Sequence, residues 1–393
     1  AVHPPQPMQL GGNGSSKHLD RALGAVLGAA IGDALGAPLG GRGPFEVTAV
    51  EVDKALEMCG GGRWGVAPGQ ATGLTECAVC LAEALAEMPP QLRALPDEDL
   101  AARYGRWGQS QPFHAERACR QVFQRPLSLA HLLERAKELN QKSMGTGALT
   151  RCVPIAVLAA AVAEPAAAVA LARADAALSH PDPTVGNASA AYAATIAQLI
   201  IAGDGDRRRA LEALQAWILS EAKAARSGGK QLAAAGGQGG WTHLPKTATP
   251  EGQAPQWSPP GEHSVALDVV AEWLQKAFTG DGELVFSSFA HDALLDGDVG
   301  SVEIPLKHAF RLLKEGVSFE DAMRRMLAGG GDSCTNASAV GGLLGAAVGL
   351  SGLPARWVRA VLACDVDAGQ FRPPEYRACR LPELVQRILA KTA

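Results

Sequence analysis

The chain has 393 residues, of which 47% are hydrophobic and 19% charged, enough apolar material to bury a large core without disulfide or metal staples. Its formal net charge is −4, so it has no basic field for nucleic acid or for an anionic membrane surface, and both partner classes are set aside. The eight cysteines are scattered, several inside apolar runs where a thiol packs as a small hydrophobe. That pattern points to a reducing, intracellular compartment, cytoplasmic or organellar.

The first twenty residues are rich in Pro, Gly and Ser and lack the apolar centre of a secretory signal, so residues 1–20 read as a flexible tail. Arg21 to Gly41 follows as a Gly- and Ala-rich apolar run in which Asp33 is the sole charge between Arg21 and Arg42. This composition predicts a buried helix packed through small residues rather than a membrane span. A carboxylate in such surroundings needs a cation, an Arg, or amide and hydroxyl donors; capping a neighbouring helix is the plain structural alternative. Thr72, Thr75 and Glu76 then stand at the mouth of a helix over 75–88. Its Cys77 and Cys80 have zinc-like spacing but no second ligand pair, and read as core packing.

Helical runs are expected at 116–140 and 154–178, separated by a Gly turn that carries the lone Arg151, which would fix the turn at 145–150 through carbonyl bonds. After the segment Ser179–Asp182, helices are expected at 187–203 and 207–225. Residues 226–263 are too rich in Gly, Pro and Gln for a core element and read as a disordered surface insertion containing Trp241 and Trp257. Helices then follow at 264–278, 299–316, 318–328, 333–355, 354–364 and 382–391, with Ser318 and Asp321 spaced as a capping box and with Pro354 and Pro382 at first-turn positions. Alternating strand patterns are almost absent. The expectation is an all-α, single compact multi-helix domain over 21–393, with at most a short hairpin.

The turn AGGGDSCTNA opens the 333–355 helix. Its glycines let the chain turn sharply, placing Asp332 at an N-cap position with Thr335 and Asn336 one turn on. Oxygen donors so arranged suit Mg²⁺, Mn²⁺ or Ca²⁺, and the helix N-terminus suits a phosphate; a simple N-cap is the structural alternative. His180 and His291 read as hydrogen-bonded core or helix-end residues rather than as catalysts.

Five segments, in this order, resemble the motifs of the ADP-ribosylglycohydrolase (dinitrogenase-reductase-activating glycohydrolase) family. GxxxGDALGxPxE is matched by Gly28–Leu39, GxxTDDT by Gly69–Thr75, GNGxxMR by Gly145–Arg151, S/T-H-x-D by Ser179–Asp182, and GGDTDTNAAxxGALLGA by Gly330–Ala346. The resemblance implies an all-helical fold with a central cleft. In active members it also implies two Mg²⁺ or Mn²⁺ ions that bind ADP-ribose and help to cleave its glycosidic link. Carried over position by position, it implies metal contacts from Thr72, Asp332 and Thr335, and substrate contacts from Gly145, Gly147, His180 and Ser333. It also implies a carboxylate among Asp33, Glu76 and Asp182 that activates water.

The ligand set is incomplete. Gly73 and Leu74 stand where two aspartates are expected, Cys334 replaces another, and Gly40 replaces a Glu seen in some members. Losing even an outer-sphere group costs roughly ten- to a hundredfold in metal affinity, and a thiol is a poor ligand for a hard cation. At most one Mg²⁺ or Mn²⁺ is therefore expected, or none. The GGDSCTNA form at 330–337 resembles the divergent branch that includes the jellyfish J1 crystallins. Two readings follow. The chain is a non-catalytic binding or structural member, engaging ADP-ribose, an ADP-ribosylated protein or a partner in an assembly; or it is a weakly or divergently active Mg/Mn-dependent hydrolase of ADP-ribosyl bonds.

Overall fold

A computed structural model describes residues 15–43, 46–89, 94–226, 260–280 and 301–392. Helix α1 spans Ser15–Gly36, α2 Ala49–Leu56, α3 Gly73–Glu87, α4 Asp97–Gln109, α5 Arg117–Val122, α6 Leu129–Asn140, α7 Gly147–Arg151, α8 Val153–Ala161 and α9 Pro165–Ala177. Then come α10 Pro183–Ala202, α11 Arg207–Arg226, α12 Pro260–Thr279, α13 Glu303–Glu315, α14 Phe319–Gly329, α15 Ser333–Val348, α16 Ala355–Leu362 and α17 Leu381–Leu389. The described residues contain no strand, only an isolated antiparallel bridge between Gly61 and Val66. The fold is all-α.

At the centre, α1 and α15 run antiparallel with their backbones in direct contact. Gly24, Gly28, Gly32 and Gly36 recur every four residues on α1 and so share one face. An ideal Cβ on Gly28 would lie 2.3 Å from the Gly341 carbonyl oxygen, and one on Gly32 would lie 2.0 Å from that of Ala337. Gly341 and Gly345 face Gly28 and Gly24 in return, at 2.1 Å each. The Gly and Ala richness of both runs thus has a steric cause: no side chain fits between the two axes.

Around this pair α10 packs on α8, α9 and α15, α13 and α14 cover α15, and α17 closes against α1, α3 and α8. The Tyr192 hydroxyl donates to the Ala339 carbonyl at 2.7 Å, tying α10 to α15. By length and composition α1 and α10 could each cross a membrane, but 94% and 78% of their apolar windows are buried inside the protein. Core packing, not lipid, accounts for their apolarity. Cys77 and Cys80 are likewise buried in the core with free thiols.

Several expected elements differ. The run 116–140 is two helices, broken at 123–128 where Pro126 lies against the Gly105 backbone. The run 154–178 breaks at 162–164, where Ala163 has φ 56°. Helices α2, α4 and α7 were not anticipated. Of these α2 carries a complete capping box, with Thr48 accepting from the Glu51 amide and Glu51 accepting from Thr48. Pro354 is the N-cap of α16 and so precedes its first turn, whereas Pro382 lies in the first turn of α17. The insertion at 226–263 falls mostly outside the described residues, as do Trp241, Trp257 and His291.

Candidate functional site

Helix α3 opens at Thr72, which is extended (φ −100°, ψ −171°) and whose hydroxyl accepts from the Leu74 amide at 3.3 Å. Opposite, α1 presents Asp33. Its Oδ1 accepts from the Thr72 hydroxyl at 2.8 Å, and its Oδ2 accepts from the Thr72 amide at 2.8 Å, the Thr75 amide at 3.2 Å and the Thr75 hydroxyl at 2.6 Å. Burial pushes the Asp33 carboxyl above its ordinary range, against the pull of these donors. The carboxylate therefore caps α3 across the core, meeting the amides that a helix start leaves unpaired.

One residue further, Glu76 faces the C-terminal segment. Arg372 grips it bidentately, Nε to Oε1 at 2.6 Å and Nη2 to Oε2 at 2.8 Å, and the Trp107 indole donates to Oε2 at 2.8 Å. The same guanidinium donates to the Ser110 carbonyl at 2.7 Å and to its hydroxyl at 2.6 Å. Burial pushes the Glu76 carboxyl up while Arg372 and the indole oppose it. Nothing in the sequence marked Arg372, which lies 296 positions from Glu76.

Asp332 is the N-cap residue of α15, reached through Gly330 and Gly331 at φ 67° and 68°; its side chain makes no capping hydrogen bond. Ser333 and Thr335 are buried beside it. Between α3 and α15, Leu74 and Cys334 contact Ala37 and Val66 in a small apolar cluster, with Trp64 and Phe113 packed on it. The Trp64 ring lies 4.3 Å from that of His114 and 6.3 Å from that of Phe113. A Cβ on Gly40 would strike that ring at 2.1 Å; one on Gly73 would lie 2.2 Å from the His114 carbonyl oxygen and 2.9 Å from the Trp107 ring.

A second grouping gathers Gly145, Gly147 and His180. The His180 Nδ1 is 2.8 Å from the Ser179 hydroxyl, and its Nε2 is 3.3 Å from Oε2 of Glu116. Glu116 caps α5 through the Ala118 and Cys119 amides, both at 3.0 Å. Its burial would raise the carboxyl, but the His180 charge and these amides bring it down to about 2. Asp182 stands two residues on as the N-cap of α10, accepting from the Thr184 amide at 2.8 Å. Arg151 does not bind the 145–150 carbonyls. It is buried, with Nε donating to the Asp175 carboxylate and Nη2 to the Asp175 carbonyl, both at 2.7 Å, while the Tyr104 hydroxyl donates to Asp175 at 2.8 Å.

The family model for ADP-ribosylglycohydrolase matches residues 14–392. The chain belongs to the ADP-ribosylglycohydrolase family. A solved structure described as an ADP-ribosylglycohydrolase-related protein complex is similar to it in fold, with a TM-score of 0.58 and 22% identity over 96% of this chain and 99% of that one. No curated protein matches it.

Against the ADP-ribosylglycohydrolase pattern, the corner formed by α1, α3 and α15 keeps the hydroxyls of Thr72 and Thr335 and the carboxylate of Asp332. Where the pattern places further carboxylates, the chain has backbone and hydrocarbon. The space beyond Gly73 holds the His114 carbonyl, that beyond Gly40 holds the Trp64 ring, and Leu74 and Cys334 touch each other's apolar surroundings. Two hard cations require six or more oxygen ligands each, and this donor set does not fit them.

Proposed function

We propose that this chain is a non-hydrolysing member of the ADP-ribosylglycohydrolase family that uses the fold as a binding or structural unit, in the manner of the branch that includes the J1 crystallins. The observation that carries this reading is the apolar cluster of Ala37, Val66, Leu74 and Cys334, covered by Trp64 and Phe113, in place of cation ligands. Two of the three carboxylates considered as water activators point the same way: Asp33 is held by four donors from Thr72 and Thr75 and Glu76 is clamped by Arg372. A general base must reach its water with a free lone pair, and these two serve helix capping and ion pairing instead.

The test is incubation of the full chain with mono-ADP-ribosylated Arg and Ser peptides in Mg²⁺ or Mn²⁺. The expected result is no released ADP-ribose at high protein concentration; metal-dependent release overturns the reading. Calorimetric titration with ADP-ribose and Mg²⁺ then separates the two forms of the proposal, since tight, metal-dependent binding assigns a binding role and its absence a structural one. A second reading, a weak hydrolase holding one Mg²⁺ or Mn²⁺ on Asp332, Thr335 and Thr72, draws support from the uncapped Asp332 side chain. In it Asp182 is the remaining candidate base.

A further inference from the structure

Glu116, Cys119 and His180 each offer one ligand atom, a carboxylate oxygen, a thiol sulfur and an imidazole nitrogen, and these atoms lie within 4.8 Å of one another. The Glu116 Oε2 to His180 Nε2 separation is 3.3 Å. Tetrahedral zinc, with Zn–O and Zn–N bonds of about 2.0–2.1 Å, sets such an O···N edge at about 3.3–3.4 Å. The Nε2 atom is buried and makes no aligned hydrogen bond, whereas Nδ1 sits 2.8 Å from the Ser179 hydroxyl. Something must bridge Nε2 and the carboxylate: a proton on Nε2, which makes the His180–Glu116 ion pair, or, with Nδ1–H donating to the Ser179 hydroxyl, a cation that takes that proton's place between the Nε2 lone pair and Oε2. An outer hydrogen bond of this kind is what orients metal-binding imidazoles.

The three donors pack directly against glycine backbone. A Cβ on Gly145 would lie 2.4 Å from Oε1 of Glu116 and 2.8 Å from Nε2 of His180; one on Gly147 would lie 2.5 Å from the Cys119 sulfur and 2.9 Å from Oε2 of Glu116. Two side-chain-free positions thus border all three donors. Burial and the Glu116 charge push the Cys119 thiol up, so a cation must displace its proton; Arg151 Nη1, donating to the sulfur at 3.3 Å, opposes that rise, and its own charge is balanced by Asp175 at 2.7 Å.

We propose that Glu116, Cys119 and His180 bind one thiophilic divalent cation of the zinc type, pinning α5 to the connection between α9 and α10 beside the 145–147 turn. Thiolate and imidazole select Zn²⁺ or Co²⁺ over Mg²⁺ and Mn²⁺, so this site is chemically distinct from the hard-cation site of the hydrolysing family members. It stands or falls independently of the functional reading above.

The probe is Co²⁺ added to the chelator-treated full chain. One equivalent is expected to give a near-ultraviolet sulfur-to-cobalt charge-transfer band and visible bands of tetrahedral intensity, bleached by Zn²⁺ but not by excess Mg²⁺. Cys119→Ser is expected to abolish the charge-transfer band, and Cys119→Ser and His180→Gln to weaken Zn²⁺ binding more than about 100-fold each, beyond the cost of losing an outer-sphere partner. Replacing the more accessible Cys364 and Cys379 by Ser should leave the band intact. Absence of the band in the unmodified chain overturns the proposal, as does a band that survives Cys119→Ser. If the variants do not fold, X-ray absorption of the Zn²⁺-loaded chain decides: one sulfur neighbour supports the site, and none overturns it.

Discussion

Asp175 and Arg151 are both fully buried and joined at 2.7 Å, with the Tyr104 ring 5.2 Å and the Phe123 ring 5.5 Å from the guanidinium carbon. Removing one member of such a pair strands the other charge, so Asp175→Asn should cost about 3–5 kcal/mol, read from the denaturant midpoint. Asp97 behaves in the opposite sense. Burial, with the Asp175 and Glu98 charges nearby, pushes its carboxyl from an ordinary 3.8 to about 7, and its Oδ1 has no hydrogen-bond partner among the described residues. The folded chain then holds this proton more tightly than the unfolded chain. The Asp97 contribution to stability should be complete below about pH 4, fall as pH rises toward 7, and be lost above it at a cost of about 2–4 kcal/mol. Asp97→Asn should remove that slope in denaturation measured from pH 4 to 8; an unchanged slope would reject the assignment.

Glycine carries opposite meanings on different helices. On α1, Gly28 meets the α15 backbone, and a methyl group there must push the two central helices apart. Gly28→Ala should cost about 3 kcal/mol or more, since overpacking a tight core costs 1–3 kcal/mol and here the obstacle is main chain. Gly186 lies inside α10, where a Cβ would meet nothing closer than 3.7 Å. Gly186→Ala should therefore stabilise by about 0.5–1 kcal/mol through helix propensity and the unfolded chain's entropy. Thermal melts of the two single variants, moving in opposite directions, check both.

For the molecule as a whole, the closed corner between α1, α3 and α15 is not a matter of three missing side chains. The triple change Gly73→Asp, Leu74→Asp and Cys334→Asp restores the family's acidic letters. It also drives an Asp into the His114 carbonyl and buries charge beneath Trp64 and Phe113. Burying unpaired carboxylates costs several kcal/mol. The triple variant should lose stability and gain no Mg²⁺-dependent release of ADP-ribose; calorimetry in Mg²⁺ and the peptide assay measure both. Refilling the site would also require moving Trp64, which the Gly61–Val66 bridge positions.

The sequence by itself determined the helical class, the family and the small-residue packing of α1, whereas its pairing with α15 came from the tertiary structure. Those features rest on local periodicity, ordered turn motifs and small-residue spacing, all written within short stretches of chain. It also raised capping as one fate of Asp33, which the structure realises through Thr72 and Thr75. Tertiary structure alone decided what each buried charge meets. Arg372 reaches Glu76 across 296 positions, Asp175 claims Arg151, and Glu116 and Cys119 at the start of α5 meet His180 of the connection between α9 and α10. Long-range electrostatic partners leave no periodic trace, because a side chain's pairing depends on which helices the core brings together.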